Sequence, residues 1–354
     1  MKKIAKLLFV ISFFVICMIP IVCMGIRSGE ISENRTLSEW PEWTLEDGRF
    51  NCNFFEEMQT YVAEHFAFRA ELVEVDSLLK YELFHSPSDE QVILGSEDWM
   101  FFDATLSDYA GITLATDEIE QIADNLVAVC DYIEEMGKKP LIMVVPNKNS
   151  VYEEYMPSRF GKKAEVTNLT LLQESMKEKG IPYIDAVSVL KEGKQVEETY
   201  LHQDTHWNNT GARMVLNAVY EALELEARHV IGAYEVQPVH ESDLYKMLFP
   251  SDEYYEEQHI YKQENDYTYV GRVRSMDDLT IRTLTEEGNG KRILVFRDSF
   301  GRAMIPYMGE VFDACTFNRS TPYDMSVVED TECDYVLIEI VERNLADLGD
   351  IDVP

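Results

Sequence analysis

Three short, mainly apolar stretches limit the fold of this chain more than any other feature: the continuous run in "KKPLIMVVPNKN", then "KRILVFRDSFG" and "DYVLIEIV". Runs of that length without polar alternation suit strands buried on both faces, the signature of a parallel sheet covered by helices. The segments between them supply such helices. "TDEIEQIADNLVAVCDYIEEMG" offers Thr116 as a cap, Ile119, Ile122, Leu126 and Val129 on one face, and Gly137 as a stop. A second helix is expected from Asn168 to Lys179, stopped by Gly180, before a strand in "IPYIDA". A third is expected from about Thr210 to Leu225, with Ala212, Val215, Leu216, Val219 and Leu223 inward. "DACTF" adds one more strand. This alternation predicts an α/β fold with three layers around a mostly parallel sheet. With 46% of its residues hydrophobic, the chain can fill such a core.

Upstream, "EQVILGSEDWMFF" reads as a hairpin and Phe54 to Leu83 has helical apolar spacing. Residues 27–50 read as an extended lead-in. Residues 229–289, rich in Tyr, Asp and Glu, break the rhythm and are expected to be an insertion. The expected division is therefore a membrane segment at 1–27, a lead-in and helical part at 28–84, and the α/β domain at 85–354.

Lys2, Lys3 and Lys6 precede Leu7–Ile26, which carries no charge. As a helix rising about 1.5 Å per residue, that run spans roughly the 30 Å of a bilayer core. The flanking lysines favour a cytoplasmic N-terminus, which sends the rest of the chain across. A cleaved signal peptide is the rival, but its apolar region would be shorter, and "CMG" at 23–25 is a poor cleavage site. A signal anchor is expected, with the protein secreted or periplasmic if the segment is removed. The 65 acidic against 31 basic residues make a nucleic-acid partner improbable, because such a surface repels phosphate. There is no C-x-x-C pair to suggest a zinc knuckle. Cys315 and Cys333 are either a pair or two buried thiols.

In open parallel sheets, chemistry gathers beyond the carboxyl ends of the strands. "PNKN", "RDSFG" and "YLHQDTHWNNTGAR" are polar clusters at such places. Ser299, at a strand-to-helix turn, is a candidate nucleophile; its bland reading is a helix N-cap. Asp204 and His206 point the same way if the segment is extended, so the carboxylate can orient an imidazole base. Their bland reading is a solvated or capping pair. His202, Asp204 and His206 also spell H-x-D-x-H, which can hold a divalent ion. A further ligand cluster would be expected, and none is evident, so neither metal nor cofactor is called for. His202 is left without a role.

"DTHWNNTGA", followed about ninety residues later by "VFRDSFG", resembles the SGNH-like O-acetyltransferases of bacterial exopolysaccharide systems, which include alginate acetylation proteins and DHHW-type proteins. "SENRTLSEWPEW", "HFAFRAEL", "VILGSEDWMFF", "PNKNSVYEEYMP" and "DYVLIEIVERNL" resemble further segments of that family in order. The resemblance implies a flavodoxin-like SGNH core in permuted order, with Asp204 orienting, His206 as general base and Ser299 as nucleophile. It implies acetyl transfer through an acyl-serine to a sugar hydroxyl of a polysaccharide, beside a membrane-bound O-acyltransferase that supplies acetyl. The Ser299 backbone N–H, with Arg319, Asn147 or Lys148, would hold the oxyanion, and Trp207 would wall the pocket. Arg297 departs from the glycine common before "DSF" and is expected either to crowd the oxyanion region or to bind an anionic substrate group. The chain stops at Pro354, where some relatives append a carbohydrate-binding module. An esterase with the same triad, and a non-catalytic glycan-binding or scaffold protein, are the alternatives.

Overall fold

In the computed structural model, residues 2–24, 38–44, 48–250, 252 and 254–354 are described. The chain divides into two compact units, residues 1–90 with 245–254, and residues 91–244 with 255–354. Part of the expected lead-in, residues 27–37 and 45–47, lies outside the described residues.

The first unit includes α1 (Lys2–Cys23), α2 (Phe54–His65) and α3 (Arg69–Phe84). Lys6–Cys23 of α1 is long and apolar enough to cross a membrane, and none of it is buried. The run from Phe54 to Leu83 is not one helix. It breaks at Phe68, whose φ of 63° is left-handed and cannot continue a right-handed helix. Trp43 stacks on Phe54 with ring centroids 3.7 Å apart, tying the lead-in to α2.

The second unit opens with the expected hairpin, β1 (Val92–Leu94) antiparallel to β2 (Met100–Phe102). The strands that follow are β3 (Lys139–Val145), β4 (Tyr183–Ile184), β5 (Tyr234–His240), β6 (Glu256–Tyr261), β7 (Thr268–Tyr269) and β8 (Thr280–Leu284). Then come β9 (Arg292–Phe296), β10 (Ala314–Asn318) and β11 (Tyr335–Val341). One sheet runs in the order β4-β3-β11-β9-β10-β8-β7. Its first five strands are parallel, β8 runs antiparallel to β10, and β7 runs antiparallel to β8.

Helices α4 (Thr116–Glu135) and α5 (Asn168–Lys179) cover one face of this sheet, and α6 (Ala186–Gly193) and α7 (Asn209–Ala222) the other. The pleat of β3 shows why three layers are needed. Leu141, Met143 and Val145 pack with Ala212 and Val215, while Ile142 and Val144 pack with Ile122, Leu126 and Leu172. A strand apolar on both faces must be covered twice.

Residues 229–289 are not a single insertion. Among the described residues β5 and β6 form a separate two-stranded sheet, but β7 and β8 extend the main sheet at its β10 edge. β8 alternates exposed and buried residues, with only Ile281 and Thr283 inward. Such a half-polar strand lacks the continuous apolar run that marks the inner strands. Cys315 and Cys333 are free thiols.

Candidate active site

β9 delivers Arg297, Asp298 and Ser299 to the carboxyl end of the sheet, where the chain turns into a 3₁₀ helix at Phe300–Met304. A serine here ordinarily caps the helix, but the Ser299 side chain makes no capping bond. Asp298 does that work. Its Oδ1 accepts the Phe300 N–H at 2.8 Å and its Oδ2 accepts the Val341 N–H from β11 at 2.8 Å. The Trp207 Nε1–H donates to the Phe300 carbonyl at 2.9 Å and holds the turn from behind. Ser299 Oγ is thereby left to face an imidazole: it lies 2.8 Å from His206 Nε2.

His206 Nδ1 lies 2.7 Å from Asp204 Oδ1. The segment is not extended, contrary to the expectation from its spacing. It is a bend between bridged Tyr200 and Trp207, in which the Asp204 carboxylate accepts the His206 backbone N–H at 2.8 Å as well as the ring. Asp204 Oδ2 accepts from His240 Nε2 at 2.9 Å and from the Asp243 N–H at 2.8 Å. Burial alone would push this carboxyl up, but the His206 and His240 imidazoles outweigh it and hold it well below the usual carboxylate range. With the carboxylate accepting, the Nδ1 proton stays on His206 and the Nε2 lone pair faces the hydroxyl.

Lys148 is a staple of this bend and does not reach Ser299. Its buried ammonium donates to the carbonyls of Leu201, His202 and Asp204 at 3.0, 2.8 and 2.6 Å. Burial lowers it to about 8 against the pull of Glu256, Asp204 and Asp243. From the opposite side, Glu256 accepts the Gln203 N–H at 3.0 Å, and Asp243 accepts the Thr205 N–H and hydroxyl at 2.8 and 2.6 Å. His202 lies against Trp99 with centroids 4.3 Å apart and meets Glu198 at 3.0 Å.

The other candidates are similarly committed. Asn147 is buried, donating its backbone N–H to Glu342 at 2.8 Å and its side-chain amide to Asp108 at 2.9 Å. The Arg319 guanidinium is paired with Asp277 at 2.9 Å. Arg297 neither crowds the mouth nor meets solvent: its side chain is wholly buried, and its guanidinium donates to the carbonyls of Asp298 and Met276. Trp207 is buried beneath the turn and lines no open wall.

His240, Asp243 and Asp298 escaped the sequence reading. Asp298 adjoins the nucleophile in "RDSFG" and could have been read as the cap; nothing in the spacing of His240 or Asp243 ties them to Asp204. Asp204, His206 and Asp243 also bring three ligand atoms within 4.8 Å of one another. The N–H groups on Asp204 point hydrogens where a cation needs lone pairs, so the arrangement suits an imidazole relay better than a metal.

A family model described as an SGNH hydrolase-like domain, acetyltransferase AlgX, matches residues 92–272. The chain belongs to that family. The matched stretch of this SGNH-like chain holds Asp204 and His206 and ends before Ser299. The probable alginate O-acetylase AlgJ of Pseudomonas syringae pv. tomato is 26% identical over 152 residues, 42% of this chain and 37% of that protein. Its Pseudomonas aeruginosa counterpart is 24% identical over 191 residues, 51% and 46% of the two chains. The matches thus span less than half the length of these relatives. Among solved structures, Bacillus cereus PatB1 with a sulfonyl adduct superposes at a TM-score of 0.58 and 17% identity, covering 75% of this chain and 99% of that one. A DHHW family protein from Eubacterium siraeum superposes at 0.53 and 17% identity, covering 66% and 90%. These likenesses speak for the SGNH-like fold.

Proposed function

We propose that this protein transfers acetyl groups through an acyl-serine to hydroxyls of an extracytoplasmic polysaccharide. The observation that carries the reading is the unbroken relay from Ser299 Oγ through His206 to Asp204, at 2.8 and 2.7 Å. Ser299 Oγ attacks the acetyl carbonyl while its proton passes to His206 Nε2. The oxyanion that forms faces the Ser299 backbone N–H, which has no partner among the described residues. Collapse expels the donor's leaving group, which takes the proton from His206. A sugar hydroxyl then gives its proton to His206 and attacks the ester, and the tetrahedral species breaks as Ser299 Oγ takes that proton from His206, releasing acetylated sugar. No metal or cofactor enters these steps.

The apolar helix α1 supports anchoring in a membrane with the second unit outside the cytoplasm. In that setting a membrane-bound O-acyltransferase is the fitting source of acetyl, with 85–354 as the catalytic domain. Arg343 follows β11 and stands over the rings of Phe102 and Phe300 at 5.8 and 5.4 Å, without an ion pair among the described residues. It offers the acceptor a cation beside Phe300, the residue that follows the nucleophile.

The test uses the full chain in detergent with an activated acetyl ester. Mass spectrometry is expected to find one acetyl on Ser299, and none in Ser299→Ala. Added oligosaccharide is expected to divert acetyl from water. Acyl-serine without diversion would make the protein an esterase, and no acyl-serine at all would leave a glycan-binding role.

A further inference from the structure

The Asp204 carboxylate serves two imidazoles. His206 occupies Oδ1 and His240 occupies Oδ2, at 2.7 and 2.9 Å. His240 ends β5 and stands opposite Glu256 of β6, where the register of the hairpin shifts. Three carboxylates act on its ring: Asp204 from the bend before α7, Asp243 from the start of the short helix Asp243–Leu248, and Glu256 from β6. Burial disfavours its charged form, but Asp204, Glu256 and Asp243 prevail and hold it above the ordinary histidine value.

We propose that His240 is a positioning residue, which acts through Asp204 to hold the acid of the relay against His206. A carboxylate with its second oxygen held cannot rotate away from His206, so the tautomer and aim of the ring are set. The Asp243 N–H donates to the same oxygen from the backbone, and His240 adds a side-chain donor that a substitution can remove.

The inference rests on the acyl-serine reading, and its test separates the two. In the full chain in detergent, His240→Gln keeps an N–H for Asp204 and His240→Ala removes it. With the activated acetyl ester, His240→Ala is expected to lower kcat about tenfold with little change in KM, and His240→Gln to restore most of that loss. An unchanged kcat in His240→Ala, or a Gln variant no better than Ala, overturns the proposal. Should the variants not fold, ¹⁵N spectra of the histidine rings in the Ser299→Ala chain decide it without turnover. A proton on His240 Nε2, shared with Asp204, is expected, and its absence would also overturn the proposal. Absence of any acyl-serine in the unaltered chain counts against acetyl transfer alone, because those ring spectra still report on the bond.

Discussion

Asp298 accepts the Phe300 N–H at 2.8 Å, taking the cap bond that Ser299 would otherwise make and leaving the serine hydroxyl to His206. The nucleophile candidate is free because its neighbour is not. Asp298→Ala strands the N–H groups of Phe300 and Val341 together. An unsatisfied buried donor costs about 1–3 kcal/mol, so urea unfolding is expected to show a loss in that range or somewhat above it. Formation of acyl-serine is expected to fall in parallel. Normal acylation in a destabilised Asp298→Ala chain would mean that Ser299 needs no help to stay free.

Lys148 gathers three carbonyls of the bend that carries Asp204. Lys148→Met fills the space but donates nothing. The expected cost is about 2–4 kcal/mol of stability, together with loss of the His206 orientation. Chemical denaturation reads the first, and single-turnover acylation reads the second. A variant with full stability would show that the carbonyls find other donors.

Glu342 is raised to about 7 by burial, against the backbone N–H bond it accepts from Asn147. In the folded chain it therefore holds its proton from its ordinary value near 4.5 up to about 7, where the unfolded chain has lost it. Its contribution to stability is full below that window and falls as pH rises through it. Glu342→Gln removes the ionisation, so it is expected to raise the thermal midpoint at pH 8 relative to the parent and to change little at pH 4.5. The gain is bounded at about 3 kcal/mol by the size of the shift. An equal effect at both pH values would rule out ionisation as the cause.

A Cβ at Gly301 would meet Arg297 Cβ at 2.6 Å and Cδ at 2.7 Å. Gly301→Ala is expected to destabilise the turn by about 1–3 kcal/mol in the parent chain. In an Arg297→Gly background the same change is expected to cost clearly less, because the clashing side chain is gone. A double-mutant cycle by denaturation measures that difference, and strict additivity would contradict it.

Much of the layered sheet could be read in advance because its inner strands announce themselves. The inner strands β3 and β9 carry unbroken apolar runs, β11 a run broken only by Glu339, and the helices between them have 3.6-residue periodicity, with Gly180 ending one of them as expected. β7 and β8 were hidden, since an antiparallel edge strand needs only one apolar face. The break at Phe68 was hidden as well, because a left-handed phenylalanine leaves no mark in apolar spacing.

The site divides along the same line. Local sequence settled that an aspartate, a histidine and a serine stand at chain turns beside helix starts, because caps and bends depend on neighbours only a few residues away. Tertiary structure alone decided which polar groups were spare. Lys148, Asn147, Arg297 and Arg319 had suitable chemistry, yet each is consumed by partners distant in sequence. His240, which no motif flagged, reaches Asp204 across 36 positions. A side chain's availability depends on every group that folding brings within about 3 Å of it, and that set is not written in any single stretch of the chain.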